Sequence, residues 1–98
     1  MRSEGETANH WMLLGIAQYR TGDLAGALES LHKSMDMARG GDARQWFFLS
    51  MIYWTQGDRV QAREWYDKAV AWIEKVHPAD MANARLRAEA AELMGLAK

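Results

Sequence analysis

Apolar side chains recur at helical spacing along most of the chain, and short polar or glycine-containing breaks cut the pattern into five segments. Trp11, Leu14 and Ala17 with Gln18 and Tyr19 form the first segment, which stops at Thr21-Gly22-Asp23. Gly22 suits the left-handed residue that ends a helix, and Asp23 can cap the next one. That next helix, over residues 24–38, carries Ala27, Leu28, Leu31 and Met35 on one face and an i, i+4 pair, Glu29 with Lys33, on another. Gly40-Gly41 ends it. Asp42 with Gln45 reads as a capping box that opens a helix over 43–55, closed in turn at Gln56-Gly57-Asp58. A fourth helix, over 59–76, places Ala62, Tyr66, Ala69, Val70 and Ile73 at core spacing and pairs Glu64 with Lys68; His77-Pro78 stops it. A fifth, over 79–94, follows from a run rich in Ala, Arg, Glu and Leu.

The segments repeat. Trp11, Leu14, Gly15, Gly22, Asp23 and Ala27 stand 35 residues before Trp46, Leu49, Ser50, Gly57, Asp58 and Ala62. Between residues 8–39 and 43–74, 8 of 32 aligned positions are identical, Glu29 and Lys33 with Glu64 and Lys68 among them, so the chain is a helical repeat protein and its function is to be sought on surfaces. The expectation is an all-α protein, an α-solenoid of two helix hairpins plus a C-terminal capping helix. Residues 1–7 are expected to be a disordered leader, 8–41 the first repeat, 42–77 the second, and 78–98 the cap. A third copy would put Met81 and Ala84 where Trp46 and Leu49 stand but Glu92 and Leu93 at the Gly-Asp turn, which predicts a lone helix covering the second repeat with Met81, Ala84, Ala88 and Ala91.

These residues resemble the tetratricopeptide repeat, whose signature has Trp, Leu, Gly and Tyr on the first helix and Ala, an aromatic or Leu, and Ala on the second. The matches are Trp11, Leu14, Gly15, Gly22, Asp23, Ala27, Leu31 and Ser34 in one copy and Trp46, Leu49, Ser50, Tyr53, Gly57, Asp58, Ala62, Tyr66 and Ala69 in the other. Gln18 departs from the pattern where Tyr53 keeps it; repeat one lacks the usual closing proline, and the period exceeds the family's by one residue, which Gly40-Gly41 can absorb. The runs Gly40-Gly41-Asp42, Trp46-Phe47-Phe48-Leu49, Trp65-Tyr66-Asp67-Lys68-Ala69-Val70 and Arg87-Ala88-Glu89-Ala90-Ala91-Glu92-Leu93 also resemble the C-terminal repeats of large bacterial multidomain proteins, some of them with kinase domains.

Composition narrows the function. The chain has 98 residues, 49% hydrophobic and 26% charged, with a net charge of -1, so it is of ordinary globular composition and has no overall field to attract nucleic acid or anionic lipid. Cysteine is absent, which excludes disulfides and thiolate chemistry and agrees with a cytoplasmic setting, as does the lack of a signal-like start or an apolar stretch of membrane-spanning length. His10, His32 and His77 have no ligand spacing, and no nucleophile stands with a base, so neither a metal, a cofactor nor catalysis is expected.

In tetratricopeptide repeats the first helices line a concave groove. The resemblance therefore assigns partner contact to Asn9, Met12, Ile16, Tyr19 and Arg20 in repeat one, to Arg44, Phe47, Met51, Trp54 and Thr55 in repeat two, and to Arg85 in the cap. Most of these are apolar, giving a patch on the order of several hundred Å² that would hold an apolar or amphipathic peptide or helix, with Phe47, Met51 and Trp54 as anchors and Arg20 or Arg44 at the rim. The alternatives are a last helix that covers part of this surface, and homo-oligomerisation, a homodimer included, as a scaffold segment of a longer array. A carboxylate clamp of the chaperone-binding kind is not expected, since Met12, Ile16 and Phe48 occupy its places. An RNA-binding helical repeat is a weaker rival because the reading positions are apolar. Trp11, Trp46 and Trp72 are expected in the core, with Trp65 partly exposed.

Overall fold

The computed structural model describes residues 4–76 and 81–96, without the side chains of residues 4–6 and 81–83. Its helices are α1 (Glu4–Thr21), α2 (Leu24–Met37), α3 (Ala43–Thr55), α4 (Arg59–Val76) and α5 (Met81–Leu93), and the protein is an all-α helical repeat. The helix edges at 24, 43, 55 and 59 fall where capping chemistry put them. The helices α2 and α5 end one residue before the expected 38 and 94, and the N-terminal boundary differs more. The expected disordered leader over 1–7 gives way to helix at Glu4. Residues 1–3, like the His77-Pro78 stop, lie outside the described residues.

The chain forms two compact units, residues 1–41 and 42–98. Unit one is the α1–α2 hairpin. Gly15 lets the helices approach: a Cβ there would lie 2.9 Å from Leu31 Cγ and 3.2 Å from the Ala27 carbonyl oxygen, two residues that are themselves fully buried. Two hydroxyls tie the pair together, Ser34 Oγ donating to the Ala8 carbonyl and Ser30 Oγ to Gln18 Oε1, both at 2.6 Å. The second bond explains Gln18. A polar partner on α2 suits an amide at the place where repeat two has Tyr53.

The same turn closes the first helix of both repeats. Gly22 and Gly57 have φ of 94° and 91°, a conformation other residues rarely adopt, and the next N–H, of Asp23 or Asp58, donates to the carbonyl of Gln18 or Tyr53 at 2.8 or 2.9 Å. Each aspartate then caps the following helix, accepting from the Gly26 N–H at 3.0 Å or the Gln61 N–H at 3.1 Å.

In unit two α3 packs against both α4 and α5. It starts at the expected capping box, with Asp42 accepting from the Arg44 N–H and Gln45 Oε1 accepting from the Asp42 N–H, each at 2.9 Å. Ala43 and residues 45–52 are buried, so α3 is covered nearly all round and forms the centre of this unit.

The face that α5 buries is turned from the expected one. Ala84 and Ala88 are exposed and the Met81 side chain lies outside the described residues, whereas Ala90, Ala91 and Met94 are buried and Leu86 half-buried. The larger side chains Leu86 and Met94 decide this orientation, because burying them removes more apolar surface than burying two alanines. Arg87 pairs with Glu74 on α4 at 3.5 Å, at the surface. The Leu96 N–H donates to the Ala91 carbonyl at 2.8 Å past Gly95, with φ 72°, so α5 ends in the cap that ends α1 and α3, three residues later than the 35-residue period would place it.

Candidate protein-interaction faces

In unit one the positions assigned to partner contact lie along one side of α1. Asn9 and Arg20 are exposed and Ile16 and Tyr19 half-buried. Met12 is buried, 4% exposed, and belongs to the core rather than to a face that meets a partner. The Arg20 guanidinium stands 5.6 Å from the centre of the Tyr19 ring.

In unit two the correction is larger. Phe47 and Met51, expected as anchors, are 0% exposed. The Phe47 ring meets Tyr66 of α4 edge to face, centres 5.8 Å apart, and so serves the packing of α3 on α4. Helical periodicity assigns one side of a helix to the surface, but α3 is packed by α4 and α5 together, so that side is covered too. What stays accessible is the end of α3. Trp54 is half-buried with the Arg59 guanidinium 4.5 Å from its ring, and Thr55 is exposed, its hydroxyl donating to the Met51 carbonyl at 2.8 Å. Arg44 is exposed but held by Asp42, through Nε at 3.3 Å and Nη2 at 3.1 Å, so its charge serves the start of α3. Arg85 is exposed on α5.

Tyr19 and Trp54 are thus equivalent by the 35-residue period, both are half-buried, and both carry an arginine over the ring. The arginines differ in origin, Arg20 following its tyrosine directly and Arg59 reaching back across the turn, which is why the pattern of identical residues does not disclose Arg59.

A second repeated relationship involves the signature tryptophans. Lys33 Nζ lies 4.5 Å from the centre of Trp11, and Lys68 Nζ 4.6 Å from the centre of Trp46. Trp46 is buried and Trp72 meets it edge to face at 6.1 Å, while Trp11 is half-buried. Models of the tetratricopeptide repeat match residues 8–33 and 43–75, together more than half of the chain and in register with both hairpins. The chain belongs to the tetratricopeptide repeat family. No curated protein and no solved structure matches it significantly.

Tetratricopeptide repeats generally mediate protein–protein interactions and are typically non-catalytic. Among the described residues no three His, Asp or Glu side chains gather as metal ligands, and no helix is long and apolar enough to cross a membrane. The two repeats differ in how they present their signature surface. Leu13 and Leu14 of repeat one are 55% and 39% exposed, whereas Phe48 and Leu49, their equivalents in repeat two, are 3% and 0% exposed.

Proposed function

We propose that each repeat of this tetratricopeptide repeat protein offers its own accessible first-helix side chains to a peptide or helix of a protein partner. Unit one contributes Asn9, Ile16, Tyr19 and Arg20; unit two contributes Trp54 and Thr55, with Arg59 beside them and Arg85 on α5. The observation that supports this most is the equivalent placing of Tyr19 and Trp54, each half-buried under a guanidinium. An aromatic ring already fixed by packing and joined to an arginine gains contact area at small entropic cost, which is the composition that dominates binding energy at protein interfaces. Met12, Phe47 and Met51 act behind this surface by holding the helices that present it. The likeness to C-terminal repeats of kinase-bearing bacterial proteins makes a signalling scaffold the setting we propose.

Peptide selection on the immobilised protein tests the reading, followed by titration of the selected peptides. Bound sequences should share apolar residues at i, i+3 or i+4 spacing, and Tyr19→Ala with Trp54→Ala should weaken binding at least tenfold while leaving the circular dichroism unchanged. A selection without common pattern, or peptides that bind the double variant equally well, would refute it.

Self-association is the second reading, favoured by the exposed Leu13 and Leu14. It requires a concentration-dependent dimer mass in light scattering that Leu13→Ser with Leu14→Ser abolishes. A monomer throughout the concentration range removes it.

A further inference from the structure

The sequence pairs Glu29 with Lys33 and Glu64 with Lys68 identically, but the structure treats the two lysines differently. Lys33 keeps both partners: the Glu29 carboxylate at 3.6 Å and the Trp11 ring at 4.5 Å. Lys68 forms none of the ion pairs found among the described residues. Its ammonium is 4.6 Å from the centre of Trp46 and 5.1 Å from that of Trp65, the second indole standing where repeat one has Ser30. On the neighbouring turn Arg63 takes Asp67 at 2.9 Å. In repeat two, then, an indole has taken the part that a carboxylate plays in repeat one.

We propose that Trp46 and Trp65 form a cation site for a methylated ammonium group, such as a quaternary ammonium or a trimethylated lysine side chain, and that Lys68 occupies this site in the free protein. A primary ammonium has three N–H donors to satisfy and is strongly hydrated, so a carboxylate partner suits it best, as at Lys33. A quaternary ammonium has no N–H to satisfy. It keeps the full charge for the indole faces and buries methyl groups against them, which is why aromatic cages without an acid favour it. The rings are placed for this by packing: Trp46 is buried with Trp72 edge-on beside it, and Trp65 is half-buried three residues before Lys68 on α4. Lys68 itself is exposed, so its side chain can leave without disturbing the core. Tethered beside the rings, it acts as a competitor of high effective concentration and raises the threshold for an external cation. The site is separate from the first-helix contact side chains, and its failure would leave the proposed function as it stands.

Titration of the 98-residue protein with tetramethylammonium chloride, followed by the indole N–H resonances and compared with sodium chloride at equal ionic strength, tests the proposal. The Trp46 and Trp65 signals should shift saturably with tetramethylammonium alone, and Trp11 should not follow them. Lys68→Ala should tighten the apparent affinity about fivefold, the factor expected for removing one exposed cation–π competitor. Trp65→Leu added to that variant should abolish saturation. Lys68→Gln serves as the second variant and should behave as Lys68→Ala. Equal shifts in sodium chloride, a Trp11 response matching that of Trp46, or no gain in affinity with Lys68 removed in either variant would overturn the site.

Discussion

Lys68 lies over Trp46 as Lys33 lies over Trp11, at 4.6 and 4.5 Å, so one lysine–tryptophan contact is built twice at a spacing of 35 residues. Each joins the second helix of a hairpin to the signature residue of the first. The contact lets a large indole end at the hairpin surface beneath a charge, so that its outer face is covered by an alkyl stem and an ammonium rather than by water alone.

For stability these contacts are minor. Lys68→Ala should lower the unfolding free energy by about 0.5 to 1 kcal/mol in urea denaturation, the range of an exposed cation–π pair. A loss above about 2 kcal/mol would mean that Lys68 supports packing in a way the two ring contacts do not describe.

Phe47→Ala should cost about 3 to 5 kcal/mol, because it empties a fully buried site and removes the edge-to-face contact with Tyr66. Thermal unfolding should show a variant that is largely unfolded or melts far below the parent. A well-folded variant that has lost only partner binding would return Phe47 to the surface role that its place in the repeat pattern suggests.

Asp58→Ala removes the acceptor of the Gln61 N–H at the start of α4 and should destabilise by about 1 kcal/mol; Asp23→Ala should do the same to α2. The two losses should be similar, since the capping distances are 3.1 and 3.0 Å. A loss near zero in urea denaturation would show that water replaces the cap.

Gly15→Ala opposes two effects. Alanine favours the helix by about 1 kcal/mol, but its Cβ would sit 2.9 Å from Leu31 Cγ and 3.2 Å from a backbone oxygen, and overpacking costs about 1 to 3 kcal/mol. Net destabilisation of about 1 kcal/mol is expected because Leu31 is fully buried and has little room to move. An increase in the melting temperature would show that the α1–α2 spacing relaxes readily.

Much of this was legible in the order of residues. The hairpins, the glycine turns and the aspartate caps depend on bonds between residues a few positions apart, and such local chemistry is carried by residue type: Gly22 and Gly57 for the left-handed turn, Asp23, Asp42 and Asp58 for the unpaired N–H groups. Glu29 and Lys33 met as their spacing indicated, for the same reason. Glu64 and Lys68 have the same spacing but a different outcome, since Trp65 and Trp46 offer Lys68 two ring faces.

The accessible face was less legible. Residue type marks Met12, Phe47 and Met51 as apolar but does not say whether they face a partner or the protein's own interior, and the register of a helical repeat suggested a partner. Burial is a sum over every element that packs on a helix, so α2 against α1 decided it for Met12, and the placing of α4 and α5 around α3 decided it for Phe47 and Met51. Local pattern determined that this chain makes helices, where they start and stop, and to which family of repeats they belong. Only the tertiary arrangement decided which aromatic side chains remain within reach of another molecule, because exposure depends on neighbours distant in sequence, and helical periodicity records only the side of a helix on which a residue stands.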